Sequence, residues 1–301
     1  MKQTFILLLG LVVLAGCSKN DKANDSDLAL IQLGAGVGTR APIVAGTFTA
    51  GIAGWEDVSA ANYSNAPLWS TTITPTVTPL AADVTWTQHQ YYNTTTTIKT
   101  FMKAWHPAGT LTGTSVAFSN PVGDVDVLFA PEISGYKGIP DPKPNLAFDH
   151  KTAQILFEVI AGQGLAANTR IKSITINNVQ LPNGINLATD EVNFAAAAPL
   201  PISNILKAGQ TEYPLITDVK TQVGDPVMIK PLTSNKFEIS VVTSTAGVED
   251  AARTAEVTVT TPAGVLIGTA YTVSLTFGPV GIELTATVTP WQTATGSAEI
   301  L

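Results

Sequence analysis

The sequence has few charged residues and a single cysteine, and each scarcity excludes a class of protein. Charged residues make up 13% of the 301 positions and hydrophobic residues make up 45%. The charged share is about half of the ~25% that is usual in globular proteins. This composition excludes a chain that stays disordered because it is polar and highly charged. One cysteine cannot close a disulfide within the chain, so the fold has to depend on burial of apolar side chains.

Basic residues are also scarce, with 16 Lys and Arg against 23 Asp and Glu and a formal net charge of −7. A protein that binds nucleic acid needs basic patches to neutralise phosphates, so the sequence predicts no nucleic-acid partner. The three histidines, His89, His106 and His150, lack the spacing of a zinc-ligand motif. The sequence has no P-loop, no Gly-x-Gly-x-x-Gly and no Gly-x-Ser-x-Gly motif. We therefore predict no metal site, no cofactor and no enzyme activity.

Two groups of side chains are weak candidates for a binding site. Asp124 and Asp126 would lie on one face of a strand, as calcium-binding or glycosidase carboxylates do. No further Asp or Asn has the spacing of a calcium loop, so a solvated strand face is the preferred interpretation. A set of aromatic residues could stack on sugar rings, but core packing is the preferred interpretation for it. This set consists of Trp55, Trp69, Trp86, Trp105, Tyr91 and Tyr92.

The first 17 residues have the pattern of a lipoprotein signal peptide. Lys2 gives a basic start, and residues 5–15 form an apolar run shorter than the ~18–20 residues of a membrane-spanning helix. The run ends in Leu14-Ala15-Gly16-Cys17, which matches the bacterial lipobox, in which the cysteine is acylated and becomes the new N-terminus. Two or more acyl chains on Cys17 would give stable membrane anchoring. The alternative is a buried free cysteine.

Residues 18–40 are predicted to be a tether followed by a strand. Residues 18–27 are polar, and Leu28–Val37 is a strand-like stretch broken by glycines. Arg40 follows it and precedes Ala41 and Pro42. Because a basic residue in an exposed connection is open to proteases, the bond between Arg40 and Ala41 is a candidate cleavage site. The alternative is an ordinary linker arginine.

The rest of the chain has the pattern of an all-β protein. Short runs rich in Val, Ile, Thr and aromatic residues alternate with Gly, Pro and Asn, and no segment sustains an apolar helical period. Tyr271–Phe277 and Ile282–Val288 each alternate apolar and polar residues, and the connection 278–281 makes them a hairpin. Further strands are predicted at Ile43–Thr49, Val84–Trp86, Ile98–Ala104, Val125–Phe129, Gln154–Val159, Ile171–Asn177, Val227–Ile229, Phe237–Thr243 and Ala255–Thr260.

The small and proline-rich stretch Ala195–Pro201 is the predicted boundary between two β-sandwich domains. The N-terminal domain would span residues 41–197. The C-terminal domain would span residues 198–301 and include the segment after Trp291.

Several blocks of the sequence resemble the fimbrillin family, the subunits of type V pili. They occur in the family's order along the whole chain: Cys17 in the lipobox, Thr39-Arg40-Ala41 at the processing site, Asp124-Val-Asp126-Val-Leu-Phe129-Ala, the Phe148-x-His150 pair followed by Ile155-x-Phe157-x-Val159, and the closing hairpin with its terminal Trp291. Long tyrosine-rich loops found in some shaft subunits are not evident here.

The resemblance implies two transthyretin-like Greek-key β-sandwich domains in tandem. It implies export as a lipoprotein to the outer membrane, anchored through Cys17 on the cell surface, followed by cleavage after Arg40. The cut would remove the strand Leu28–Val37, and a strand from another fimbrial subunit, such as the segment 292–301, would fill the groove. The mature protein would then belong to a fimbrium that contributes to adhesion, with a host protein or glycan as a further partner.

Two alternatives remain open on the sequence alone. The protein could be an anchor or tip subunit of the same fimbrium, which would escape cleavage or lack a strand that it can donate. It could also be a monomeric surface lipoprotein that binds glycans through its N-terminal tryptophans.

Overall fold

The computed structural model of the protein describes residues 28–37, 46–76, 82–138, 143–259, 264–279, 282–283 and 289–290. The described residues form 24 β-strands and no helix, so the prediction of an all-β protein is confirmed. None of them forms a helix that could span a bilayer.

The first twelve strands are β1 (Ala29–Leu30), β2 (Gly34–Val37), β3 (Ala50–Asp57), β4 (Trp69–Thr74), β5 (Ala82–Asp83), β6 (Thr85–Trp86), β7 (Tyr91–Tyr92), β8 (Lys99–His106), β9 (Thr110–Thr112), β10 (Ser115–Ala117), β11 (Leu128–Gly135) and β12 (Asn145–His150). The remaining twelve are β13 (Ala153–Ala161), β14 (Thr169–Val179), β15 (Pro182–Asn186), β16 (Glu191–Phe194), β17 (Ala198–Pro201), β18 (Thr221–Ile229), β19 (Lys236–Thr245), β20 (Val248–Glu249), β21 (Arg253–Thr258), β22 (Ala270–Phe277), β23 (Ile282–Glu283) and β24 (Thr289–Pro290).

An eight-stranded sheet forms the N-terminal part, in the order β5-β2-β12-β11-β8-β3-β4-β6. Successive side chains of a strand point to opposite faces of the sheet. On β8, Met102 and Ala104 therefore enter one apolar core, whereas Trp105 enters a second core on the other face. The second core also contains Val116 and Ile185, from a four-stranded sheet in the order β16-β15-β10-β9.

The eight-stranded sheet curls back on itself. Its two outer strands, β5 and β6, are consecutive in the chain and are separated by Val84 alone. The segment 82–86 therefore pairs with β2 through its first half and with β4 through its second half. As a result, the strands enclose the first core, and β2 forms part of its wall.

Strand β3 lies in the interior of this sheet, between β8 and β4, although the sequence pattern did not predict it. A strand was predicted at Ile43–Thr49, but the described part of that stretch forms only an isolated bridge at Thr47, and the strand begins at Ala50. A Cβ atom at Gly51 or Gly54 would collide with an indole ring, because Trp105 and Trp69 pack directly on the backbone there. The glycines are thus packing positions within a strand.

Two five-stranded sheets form the C-terminal part and share one apolar core. One sheet has the order β18-β13-β22-β23 with β24 also paired to β22, and the other has the order β17-β14-β19-β20 with β21 paired to β19. Phe157 on β13 and Ile174 on β14 both belong to the shared core. The predicted closing hairpin is confirmed where it is described, since β22 pairs antiparallel with β23 and β24.

The predicted boundary at residues 197 and 198 does not match the strand pairing. Strands β13 and β14 precede it, yet they pair with β22, β18 and β19 in the C-terminal sheets. Strands β15 and β16 return to pair beside β10. The change from N-terminal to C-terminal sheets therefore falls between His150 and Ala153. The apolar runs of β13 and β14 did not indicate their distant partners. The division into two transthyretin-like domains stays a prediction.

Candidate functional site

The second half of the N-terminal segment Leu28–Val37, strand β2, is inserted into the eight-stranded sheet. Strand β2 pairs in parallel with β12 on one side and antiparallel with β5 on the other. Backbone hydrogen bonds extend this pairing, from Gly34 N to Pro144 O at 3.0 Å and from Val84 N to Leu33 O at 3.2 Å. Strand β2 fills the gap between β12 and β5, and we call this gap the strand slot.

The side chains that point inward from this segment lie fully in the first core. Ile31 and Ala35 are 0% exposed, Leu33 is 2% exposed and Val37 is 7% exposed. Ala35 pairs with Leu146 of β12, and Val37 pairs with Phe148. The prediction of a strand over Leu28–Val37 is therefore confirmed in part: the segment contains the two short strands β1 and β2, and β2 is a structural part of the core wall.

The start of the segment is held by a short strand outside the sheet. Leu30 of β1 pairs with Tyr91 of β7, and Ile31 N donates to Gln90 O at 2.9 Å. In the described part of the chain, β7 pairs with no strand other than β1. The side chains of Leu30 and Tyr91 are 39% and 45% exposed. The segment is thus paired with β7 at its start, and its later part, β2, lies between β12 and β5.

A buried polar cluster lies where the chain passes from β12 to β13. His150 Nδ1 lies 2.8 Å from Asp126 Oδ2, and Thr152 Oγ1 donates to Asp126 Oδ1 at 3.2 Å. All three residues are at most 5% exposed. The expected solvated strand face is therefore wrong at Asp126, which is buried, and β11 begins only at Leu128; Asp124 is exposed as expected. A contact across 24 positions leaves no local sequence signal.

The motif residues of the family resemblance are core residues where they are described. Phe148 is 0% exposed, His150 is 3% exposed and Phe157 is 1% exposed. Phe148 lines the strand slot, whereas Phe157 lies in the C-terminal core. Four other predicted site residues lie outside the described residues, namely Cys17, Arg40, Ala41 and Trp291.

The N-terminal tryptophans pack against cores. Trp55 and Trp105 are 4% and 2% exposed, and their Nε1 atoms donate to Asn65 O and Ala108 O. Trp69 and Trp86 are partly buried against the first core. Core packing, the preferred interpretation, is therefore confirmed for these residues, and the structure gives a glycan-binding aromatic platform no support at Trp55 or Trp105.

A buried lysine was missed by the sequence pattern. Lys103 on β8 is 2% exposed, and its Nζ donates to Asp190 Oδ1 at 2.5 Å and to Leu187 O at 2.9 Å. The Nζ atom also lies 3.5 Å from the ring centroid of Tyr63. Burial, followed by the hydrogen bond to Glu132, raises the pKa of Tyr63 above its usual range. The hydrogen bonds of Lys103 thus fix the turn before β16 to the eight-stranded sheet.

Two edge strands of the C-terminal sheets, β17 and β18, are poor acceptors for another strand. Pro199 and Pro201 occupy the edge strand β17, and Pro226 lies in the edge strand β18. Proline has no backbone N–H, so it removes donors from a ladder. Within the described ranges, no group of three or more His, Cys, Asp or Glu side chains could hold a metal ion. The strand slot is therefore the candidate functional site.

Comparison with solved structures shows a known fold. A cell-adhesion-class protein from Bacteroides uniformis superposes with a TM-score of 0.57 at 19% identity, covering 88% of this chain and 100% of its own. Similar proteins from Bacteroides ovatus and Bacteroides fragilis give TM-scores of 0.54 and 0.52 at 15% and 12% identity, covering 88% and 89% of this chain and 96% and 99% of theirs. A search of curated proteins found no match.

A sequence model of the fimbrillin-like family matches residues 39–291. The match includes every described strand from β3 to β24. The chain belongs to the fimbrillin-like family.

Proposed function

We propose that the protein is a fimbrial subunit that polymerises by exchange of the strand in its slot. It is exported as a lipoprotein acylated at Cys17 and held at the outer membrane. Cleavage between Arg40 and Ala41 then frees Leu28–Val37 from the rest of the chain, and a strand of another subunit takes its place. The observation that carries this proposal is the insertion of β2 between β12 and β5.

The position of the inserted strand supports a role for cleavage. Val37 is the last residue of β2 and lies three positions before Arg40. Hydrolysis after Arg40 would leave the strand attached only by hydrogen bonds and apolar contacts. A covalent part of the sheet would thus become a bound peptide that can be displaced.

The cost of an empty slot supports replacement over simple loss. Full burial of a Val, Leu or Ile side chain stabilises a fold by about 1.5–3 kcal/mol, so Ile31, Leu33 and Val37 together contribute roughly 5–9 kcal/mol by this measure. That amount is comparable with the ~5–15 kcal/mol net stability of a whole domain. An empty slot would also leave Pro144 O and Val84 N without their partners, Gly34 N and Leu33 O. Exposed edges of this kind pair readily with other chains.

The segment 292–301 is the proposed donor strand. It follows β24, which lies at the outer side of a C-terminal sheet. Its ten residues equal the length of Leu28–Val37. Because donor and acceptor lie at different places on the subunit, each contact leaves a free donor and a free slot, which builds a filament.

The proposal is tested with protein expressed from residue 18, so that lipid is absent, and treated with an Arg-specific protease. We expect cleavage after Arg40 and filaments visible by electron microscopy. The Arg40→Gln variant should stay uncut and monomeric, and a variant lacking residues 292–301 should be cut without forming filaments. Filaments from that truncated variant would refute the donor assignment. If the chain that keeps residues 292–301 is cut and stays monomeric, the shaft role is refuted and a tip subunit is favoured.

A further inference from the structure

An ion pair crosses the strand slot on its solvent side. Asp83 of β5 and Lys143, just before β12, form a salt bridge between the two walls of the slot. Gly34 of β2 lies between them, since it pairs with Asp83 on one side and with Asn145 on the other. The charged side chains therefore meet over the strand that fills the slot.

The register places Asp83, one partner of this ion pair, directly beside Gly34. Residues that pair across a sheet point to the same face, and alternate residues of a strand share a face. Asp83, Gly34 and Asn145 are thus on the outer face, and the Nζ atom of Lys143, which precedes β12, meets Asp83 there. On that face Asn145 is exposed, whereas Gly34 is buried. Long lysine stems can lie along a surface while the ammonium stays near water, so the Lys143 stem can pass over Gly34 to reach Asp83.

We infer that the Asp83–Lys143 ion pair determines which strands fit the slot, by closing only over a residue that has no side chain at the register of Gly34. A strand with a larger residue at this register has to break the ion pair in order to enter. Where the inference concerns an incoming strand from another subunit, it rests on the proposed function. Where it concerns Leu28–Val37 itself, it does not.

The test is a double-mutant cycle on the uncleaved chain, measured by chemical denaturation. Gly34→Val is made in the natural background and in the Lys143→Ala background, with Gly34→Ala as a milder substitution in case the valine variant does not fold. Lys143→Ala alone should change the unfolding equilibrium constant by less than about fivefold, as is usual for exposed ion pairs.

We expect the Gly34 substitution to destabilise the natural background at least about threefold more than the Lys143→Ala background, which is the lower range of coupling for residues in contact. Gly36→Val is the matched control, because Gly36 lies on the same face of β2 but pairs with Ala147 instead of Asp83. It should show the same cost in both backgrounds. Equal costs of the Gly34 substitution in the two backgrounds would overturn the inference.

The outcome separates this inference from the proposed function. If coupling is found but the cleaved chain forms no filaments, the ion pair acts on the chain's own strand and the exchange proposal fails. If filaments form without coupling, exchange stands and the ion pair has no part in selecting the strand.

Discussion

Replacement of Leu33 by alanine tests whether the N-terminal strand is a structural part of the core. Leu33 is 2% exposed, and its side chain lies in the first core with Ile31 and Ala35. The substitution removes buried methyl and methylene groups and leaves a cavity, because the neighbouring strands are held by their own pairing. Substitutions of this type cost about 2–5 kcal/mol. We expect about 3 kcal/mol, which lowers the folding equilibrium constant more than a hundredfold.

Leu30→Ala is the matched control, since it changes the same residue type in the same segment. Leu30 is 39% exposed, so its loss should cost less than about 1 kcal/mol, as for most surface substitutions. The assay is urea denaturation of the uncleaved chain at constant pH, followed by tryptophan fluorescence. Trp69 and Trp86 pack against the first core and report on it.

Equal costs for Leu33→Ala and Leu30→Ala would refute the reasoning. Such a result would mean that the segment contributes little to the folded state in solution, and that the slot is not filled by β2. The energetic basis of the exchange proposal would then be lost.

Three further predictions concern other parts of the N-terminal region. Lys103→Ala removes a buried ammonium and its hydrogen bonds and should cost about 1.5–3 kcal/mol, against less than about 1 kcal/mol for the exposed Lys236→Ala, both by denaturation. Gly54→Ala should cost about 1–3 kcal/mol by the same assay, because the added methyl group displaces the Trp69 indole. Burial lowers the pKa of His106 below its usual 6.5, so folding favours the neutral ring. The contribution of His106 to the free energy of unfolding is therefore present above pH 6.5 and is lost as the pH falls below it. Between pH 8 and pH 5, the free energy of unfolding of the His106→Gln variant should decline less than that of the natural protein.

The strand pattern of the chain could be predicted where side chains alternate. Tyr271–Phe277 was predicted because its apolar residues recur at every second position, and the structure buries Tyr271, Val273, Leu275 and Phe277. Strand β3 was missed because Gly51 and Gly54, which make room for indoles, are typical of turns. Local patterns report on the strand itself, whereas the fit of a glycine under a tryptophan depends on a residue far along the chain.

The site was predictable only in part for the same reason. A strand followed by Arg40 in the sequence indicated a removable segment, and the structure confirms that Leu28–Val37 contains strands. The sequence could not show that β2 lies between β12 and β5, nor that Asp83 and Lys143 meet across it. Both depend on residues about 50–110 positions apart along the chain, for which a single sequence gives no pairing signal.

The most direct measurement of strand exchange is site-specific cross-linking between the slot of one subunit and the donor segment of another. Ala147→Cys places a thiol on the exposed face of β12 beside the slot, in a chain that begins at residue 18 and so has no other cysteine. A second cysteine is placed in turn at each of positions 293–300, and the chain is cleaved after Arg40 and oxidised. We expect a ladder of disulfide-linked multimers for at least one position, and only in cleaved protein. Cleaved protein that forms no ladder at any position, while the peptide 28–37 stays bound, would contradict the account.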